Sequence, residues 1–393
     1  MSRPKKIIVM GFMGSCPIAG VIWQHIHYVV GLMELGHEVY YIEDSARLPY
    51  NPITFEVSED SAYAGAVLDI LARRFGFHEK WSFCPRYLPN PEVATLGIPL
   101  NRIRELYVEA DAILNVCGSQ EFNEDLLNSN RILYVESDPG VEQIKVDQGN
   151  KNTLDYLQRH HALFTFGENI GSPEFPVPLH GLKWMPTRQP IVTKLWYQNS
   201  HPAENALFTS IANWSTSGKK DIQWNGENYL WSKSLEFMKF SPAPAECGEA
   251  FELATDIKNT AESELFLKQN WSLVLPHLLS SDYDSYVQYI QASKGEFTVA
   301  KDQYVRLNTG WFSDRTACYL ASGRPAITQE TGFTKHYGGQ GGLFAYSTLE
   351  EIVEAVREIN LDYKKQCRIA YELSCDLFEA RKVLASLLDR AGI

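Results

Sequence analysis

Ile7–Ile8–Val9–Met10–Gly11 and, one helix later, Gly36–His37–Glu38–Val39–Tyr40–Tyr41–Ile42–Glu43–Asp44 frame the opening unit of this chain. Four consecutive apolar residues stopped by glycine read as a short strand buried on both faces. A glycine-punctuated loop over 12–20 follows, then a helical pattern over 21–35 that Gly36 ends. Glu38–Ile42 is a second strand, closed by the Glu43–Asp44 pair. Strand, loop, helix and strand in that order make a parallel crossover. Such a crossover opens a doubly wound α/β domain.

The alternation continues with a helix near 61–75, strands at 112–116 and 132–135, a helix at 154–160 and a strand at 162–166. From 172 to about 202 it breaks into a stretch holding Pro173, Pro176, Pro178, Pro186, Pro190 and Pro202. This reads as an interdomain connection, in which Trp184 and Trp196 require burial. A second alternation starts with a strand at 206–211. Helices are expected near 229–240, 271–279 and 283–292, strands at 297–300 and 326–328, and terminal helices over 348–361 and 362–391. Two successive α/β domains are implied, the first over 1–190 and the second over 200–375.

Composition agrees with that division. A chain of 393 residues exceeds what one core usually supports. Twenty Tyr, nineteen Phe and nine Trp exceed plain packing needs and suggest platforms for rings or sugars. A net charge of −12 argues against nonspecific binding to nucleic acid or anionic membrane, while leaving room for a local basic pocket. Seven scattered cysteines, with no CxxC or zinc spacing, read as reduced thiols. Met1–Lys6 shows no signal-peptide pattern and no apolar run reaches membrane-span length, so a cytoplasmic location is expected.

One late stretch carries the strongest chemical signal: Asn308–Thr309–Gly310–Trp311–Phe312–Ser313–Asp314–Arg315, running on to Leu320–Ala321–Ser322–Gly323–Arg324–Pro325. Gly310 marks a tight turn, Ser313 and Asp314 suit an N-cap, and Gly323 and Pro325 end the short helix between. A glycine turn feeding a helix N-terminus offers free N–H groups and a favourable dipole to a phosphate. Arg315 stands in the first turn, where the dipole disfavours a cation unless an anion is bound there.

Other candidates follow strands. In the second half, Trp214 could stack on a base and Ser215 and Thr216 could bond phosphate, with Lys219 and Lys220 beyond; Lys301 could supply a point charge. Glu330–Thr331–Gly332 sits where a carboxylate accepts from ribose or sugar hydroxyls. Gly338–Gly342 reads as a flexible loop. In the first half the 11–20 loop lacks a G-x-G-x-x-G fingerprint, so it reads as a cleft wall. His25, Asp138 and Glu168 are candidates for a base, each also explicable as a packed histidine, a cap or a turn residue. Asp44 is a weaker carboxylate candidate. Zinc, Walker and Ser–His–Asp signatures are missing, which points to group transfer from a nucleotide-activated donor.

On these residues the chain resembles the GT-B glycosyltransferases. The features that carry the resemblance are the helix leading into Gly36–His37–Glu38–Val39, the segment from Ser313 to Pro325 with its L-A-x-G-x-P run, and Glu330–Thr331–Gly332. The resemblance implies two Rossmann-like domains facing across a cleft. It places the acceptor on the first and a nucleotide-sugar, UDP- or dTDP-linked, on the second at Trp214, Ser215, Lys301, Gly310 to Arg315 and Glu330 to Gly332. A last helix over 376–393 would return to the first domain. No separate cofactor or metal is implied. Retaining members place a glutamate where Cys318 stands, and no glutamate occurs between Gly310 and Gln329, so inversion is favoured. A base from the first domain, His25, Asp138 or Glu168, would then activate the acceptor hydroxyl. A small molecule or glycan is the favoured acceptor, with a modified nucleic acid left open. The alternatives are a non-catalytic binding protein and a nucleotide-sugar epimerase or hydrolase of the same fold.

Overall fold

The computed structural model describes residues 3–129, 131–198, 202–215, 221–338 and 341–393. Two sheets divide the chain. The first has eight strands in the order Trp184–Pro186, Ala162–Thr165, Ile132–Glu136, Ala112–Val116, Lys6–Met10, Glu38–Ser45, Trp81–Pro85, Leu96–Gly97. All neighbours are parallel except the last pair. The second has six parallel strands in the order Trp271–Val274, Phe251–Ala254, Phe208–Ile211, Gly295–Thr298, Ala326–Gln329, Leu343–Tyr346. Strands with helices on both faces are buried throughout, as Ile7, Ile8, Val9 and Met10 are. The doubly wound α/β class is as the sequence implies.

Several elements differ from the sequence reading, each for a local reason. Trp271–Val274 is an edge strand and not the start of a helix; the helix, His277–Ser280, begins after Pro276. A four-residue apolar run carries no period long enough to separate the two states. Its Trp271 ring packs on Phe251, Phe266 and Phe297, which settles the matter by tertiary contact. Within the proline-rich stretch, Trp184–Pro186 adds an edge strand to the first sheet, a position where proline costs no ladder bond. The 362–391 helix is two helices, Tyr363–Leu377 and Ala380–Arg390. They part because Ile191 of the connection inserts its backbone, donating to Phe378 O (2.7 Å) and accepting from Ala380 N–H (2.8 Å).

The final helix lies on the helix Ala19–Glu34 of the first half. Gly31 makes that approach close: a Cβ there would fall 2.7 Å from Ala380 Cβ. A second seam joins the halves at the stretch Asn308–Phe312. Asn169 donates from its backbone N–H to Thr309 O (3.0 Å) and from Nδ2 to Asn308 O (2.9 Å), and Gly167 bridges Trp311. The carboxyl ends of both sheets therefore face one another across a closed cleft.

Candidate active-site cleft

The first domain's loop does not offer its amides to a ligand. Glu43, fully buried, accepts from the N–H groups of Gly14 and Ser15 (2.9 Å), from Ser15 Oγ (2.8 Å) and from Tyr41 Oη (2.8 Å). A carboxylate of the chain itself thus fills the turn that holds phosphate in dinucleotide-binding sheets. Burial raises the pKa of Glu43, and these four donors oppose that rise.

The second domain is arranged the other way. The helix Asp314–Ala321 starts at Ser313, whose side chain makes no capping hydrogen bond. Three cations gather beside its first turn. Arg315 donates to Glu296 Oε1 (2.6 Å), to Thr298 Oγ1 (2.6 Å) and to Ile211 O, so it spans two neighbouring strands. Lys301 pairs with Asp138 of the first domain and lies 3.5 Å from the centre of the Trp231 ring. Lys233 lies 5.7 Å over Trp311 and forms no ion pair among the described residues. Burial, then the charges of Arg315 and Lys301, hold its ammonium well below the usual lysine range. An anion placed among these three would reverse that penalty.

Asp138 therefore sits in the cleft, but as partner to Lys301 and acceptor from Tyr304 Oη. Trp311 stacks on Tyr304 at 4.4 Å and donates from Nε1 to Ser137 O (2.9 Å), which ties the aromatic wall to the first domain. Asp314 points the same way, accepting from Gln24 Nε2 at 3.3 Å. Burial raises its pKa to about 7, with the Asp138 charge adding to the rise.

Other expected positions lie elsewhere. His25 is fully buried, donates from Nδ1 to Val21 O (2.8 Å) and is walled off by Gly11, where a Cβ would overlap the ring at 2.1 Å. Its pKa is lowered to about 4 by burial. Glu168 belongs to the interdomain seam, held by Arg188 (2.7 Å) and near His336 (3.4 Å). Trp214 packs on Phe237 and Phe266 and donates to Glu262 (3.0 Å), so it presents no stacking face to the cleft. Phe312 is likewise core, stacked on Phe378 at 5.2 Å. Asp44 is locked by Arg86, Tyr107 and Asn123.

Gly310 has φ +71°, as a tight turn requires, but its N–H donates to Thr331 O (2.7 Å). A Cβ there would come 2.8 Å from Asn169 N, so glycine serves the seam and not a phosphate. Thr331 donates to Trp311 O (2.5 Å), and the Glu330 carboxylate accepts from Gly332 N–H at the end of its strand. Ser215 is exposed after the strand Phe208–Ile211, while Thr216, Lys219, Lys220, Gly339 and Gln340 lie outside the described residues. Lys233 and Trp231 were not legible as site residues. A lysine at a helix start after an aromatic is too common a pattern.

No protein-family model and no curated protein sequence matches this chain. Solved structures do. An alpha-glucosyltransferase in complex with UDP and a 13-mer DNA containing a central A:G mismatch superposes with a TM-score of 0.56 at 11% identity, covering 100% of both chains. The fold is GT-B. HepE of Anabaena, in complex with UDP and glucose, gives 0.56 at 10% identity over 99% of each chain. AviGT4, a glycosyltransferase involved in Avilamycin A biosynthesis, gives 0.54 at 10% identity, covering 99% of this chain and 97% of its own. Among the described residues no helix is long and apolar enough to cross a membrane.

Proposed function

We propose that the protein is a glycosyltransferase that moves a hexosyl group from a nucleotide-diphosphate-sugar, UDP- or dTDP-linked, to an acceptor hydroxyl. The observation that carries this reading is Lys233, a half-buried ammonium with no ion pair among the described residues, grouped with Arg315 and Lys301 beside a helix start that has no side-chain cap. A diphosphate is the ligand whose charge and size suit that cluster. Its presence in the cleft lets Lys233, Lys301 and the helix N–H groups stabilise the charge that develops as the sugar leaves. These cations can neutralise the leaving group, which supports a metal-independent transfer. UDP in the structures of the GT-B neighbours supports the same donor class.

Inversion is the proposed stereochemical course, because a buried Cys318 stands where retaining relatives place a glutamate. An uncharged small molecule or glycan is the proposed acceptor. The net charge of −12 weighs against a polyanion, although one GT-B neighbour was solved with DNA. Titration with UDP, dTDP, ADP and GDP, followed by anomer-resolved NMR of the product, tests the reading. Stabilisation by a uridine or thymidine diphosphate and release of that nucleotide from its sugar conjugate are expected. Failure of all four to bind would sink it.

A further inference from the structure

The three first-domain groups that could act as a base are each disqualified by their surroundings. His25 is sealed under Gly11, Glu168 is claimed by Arg188, and Asp138 is claimed by Lys301 and Tyr304. One acid at the junction is differently placed. Asp314 opens the helix Asp314–Ala321 and faces the first domain, where its hydrogen-bonding side-chain partner is Gln24, an uncharged amide at the long distance of 3.3 Å. Gln24 is itself held by Cys117, whose Sγ donates to its Oε1 (3.2 Å). Tyr28, wholly buried on the same helix as Gln24, carries a hydroxyl without a hydrogen-bond partner. It is near enough that the Asp314 charge helps raise its pKa.

Resting on the donor site proposed above, we infer that Asp314, and not a first-domain residue, is the group that takes the acceptor's proton. The acceptor O–H proton passes to the Asp314 carboxylate as the acceptor oxygen bonds to the anomeric carbon. The bond from that carbon to the diphosphate oxygen breaks, and its electron pair leaves with the diphosphate, beside Lys233 and Lys301. Asp314 precedes Arg315 in the chain, but its carboxylate accepts from Gln24 of the first domain, the side on which in-line attack places the acceptor. Its raised pKa, about 7, keeps an ionised fraction at neutral pH with a basicity suited to the task. Burial is the main cause of that rise; the Asp138 charge adds to it, and the Gln24 hydrogen bond and the Arg315 charge oppose it. The Asp314 charge in turn adds to the raised pKa of Tyr28, Tyr304 and Cys318.

The test uses UDP-glucose with water as acceptor, and UDP as a binding probe. In the wild type, UDP release should rise with pH through a limb near 7, because the carboxylate must be ionised to accept a proton. Asp314→Asn should keep UDP affinity within threefold, lose at least ~100-fold in release rate and lose the limb. Asp314→Glu, which keeps the carboxylate, should recover part of the rate and restore a limb at a shifted pH. Asparagine at 314 with the wild-type rate and limb overturns the inference and leaves the donor site standing. Wild-type protein that binds no UDP or dTDP overturns both.

Discussion

The two domains use the loop ahead of a helix in opposite ways. In the first, the amides of Gly14 and Ser15 close on the chain's own Glu43. In the second, the helix beginning at Asp314 has no side-chain cap, and Lys233, Lys301 and Arg315 surround its start. One loop is a satisfied structural joint, the other the proposed anion site. An internal carboxylate, more than any glycine pattern, decides which is which.

The largest expected effect breaks the second region. Arg315→Ala strips the partner from Glu296, a fully buried carboxylate with one oxygen already unpartnered. Unfolding in urea should show a loss of about 3–5 kcal/mol, and UDP binding should weaken as well. Unchanged stability would show that the pair is not what holds the helix start to the sheet.

Next in size, Glu43→Gln removes a charged acceptor from the first-domain turn. A loss of roughly 1.5–3 kcal/mol is expected in the same measurement, with UDP affinity and its one-site stoichiometry unaltered. A second nucleotide site appearing in the variant would mean that Glu43 was masking a competent phosphate loop. Lys301→Ala sharpens the contrast from the other side. Stability should barely move, while UDP affinity falls about tenfold, the loss of one charge-assisted contact.

The smallest change is also the most discriminating. Asp138 of the first domain pairs with Lys301, so at the proposed site it would compete with a bound diphosphate for that lysine. Asp138→Asn should tighten UDP binding about threefold by calorimetry, at the weak end of a charge pair that is 39% exposed on the aspartate side. Weaker binding would show that Asp138 positions Lys301 for the phosphate and does not compete with it.

Much of this architecture can be read from the chain. Ile7–Met10, Ala112–Val116 and Tyr283–Ala292 declare themselves by apolar runs and period, and the helix behind Ser313 by its Gly323 stop. Residues whose role depends on remote contacts are not legible. Gly310 looks like a phosphate turn until Asn169 is seen against it. Arg315 looks free until Glu296, nineteen positions away, is placed beneath it. His25 looks available until Gly11 covers it. Lys233 gives no local sign at all, because its meaning lies in two cations brought there by other helices.

The central claim is that a nucleotide diphosphate binds at Lys233 beside the Asp314 helix. Calorimetric titration of UDP into wild type and Lys233→Met, in buffers of different ionisation heat across pH 7–9, tests it most directly. A bound diphosphate should raise the depressed lysine pKa, so wild type should bind one UDP with proton uptake. The methionine variant should bind at least ~10-fold more weakly and without that uptake. Equal affinity and equal proton uptake in the two proteins would contradict the account.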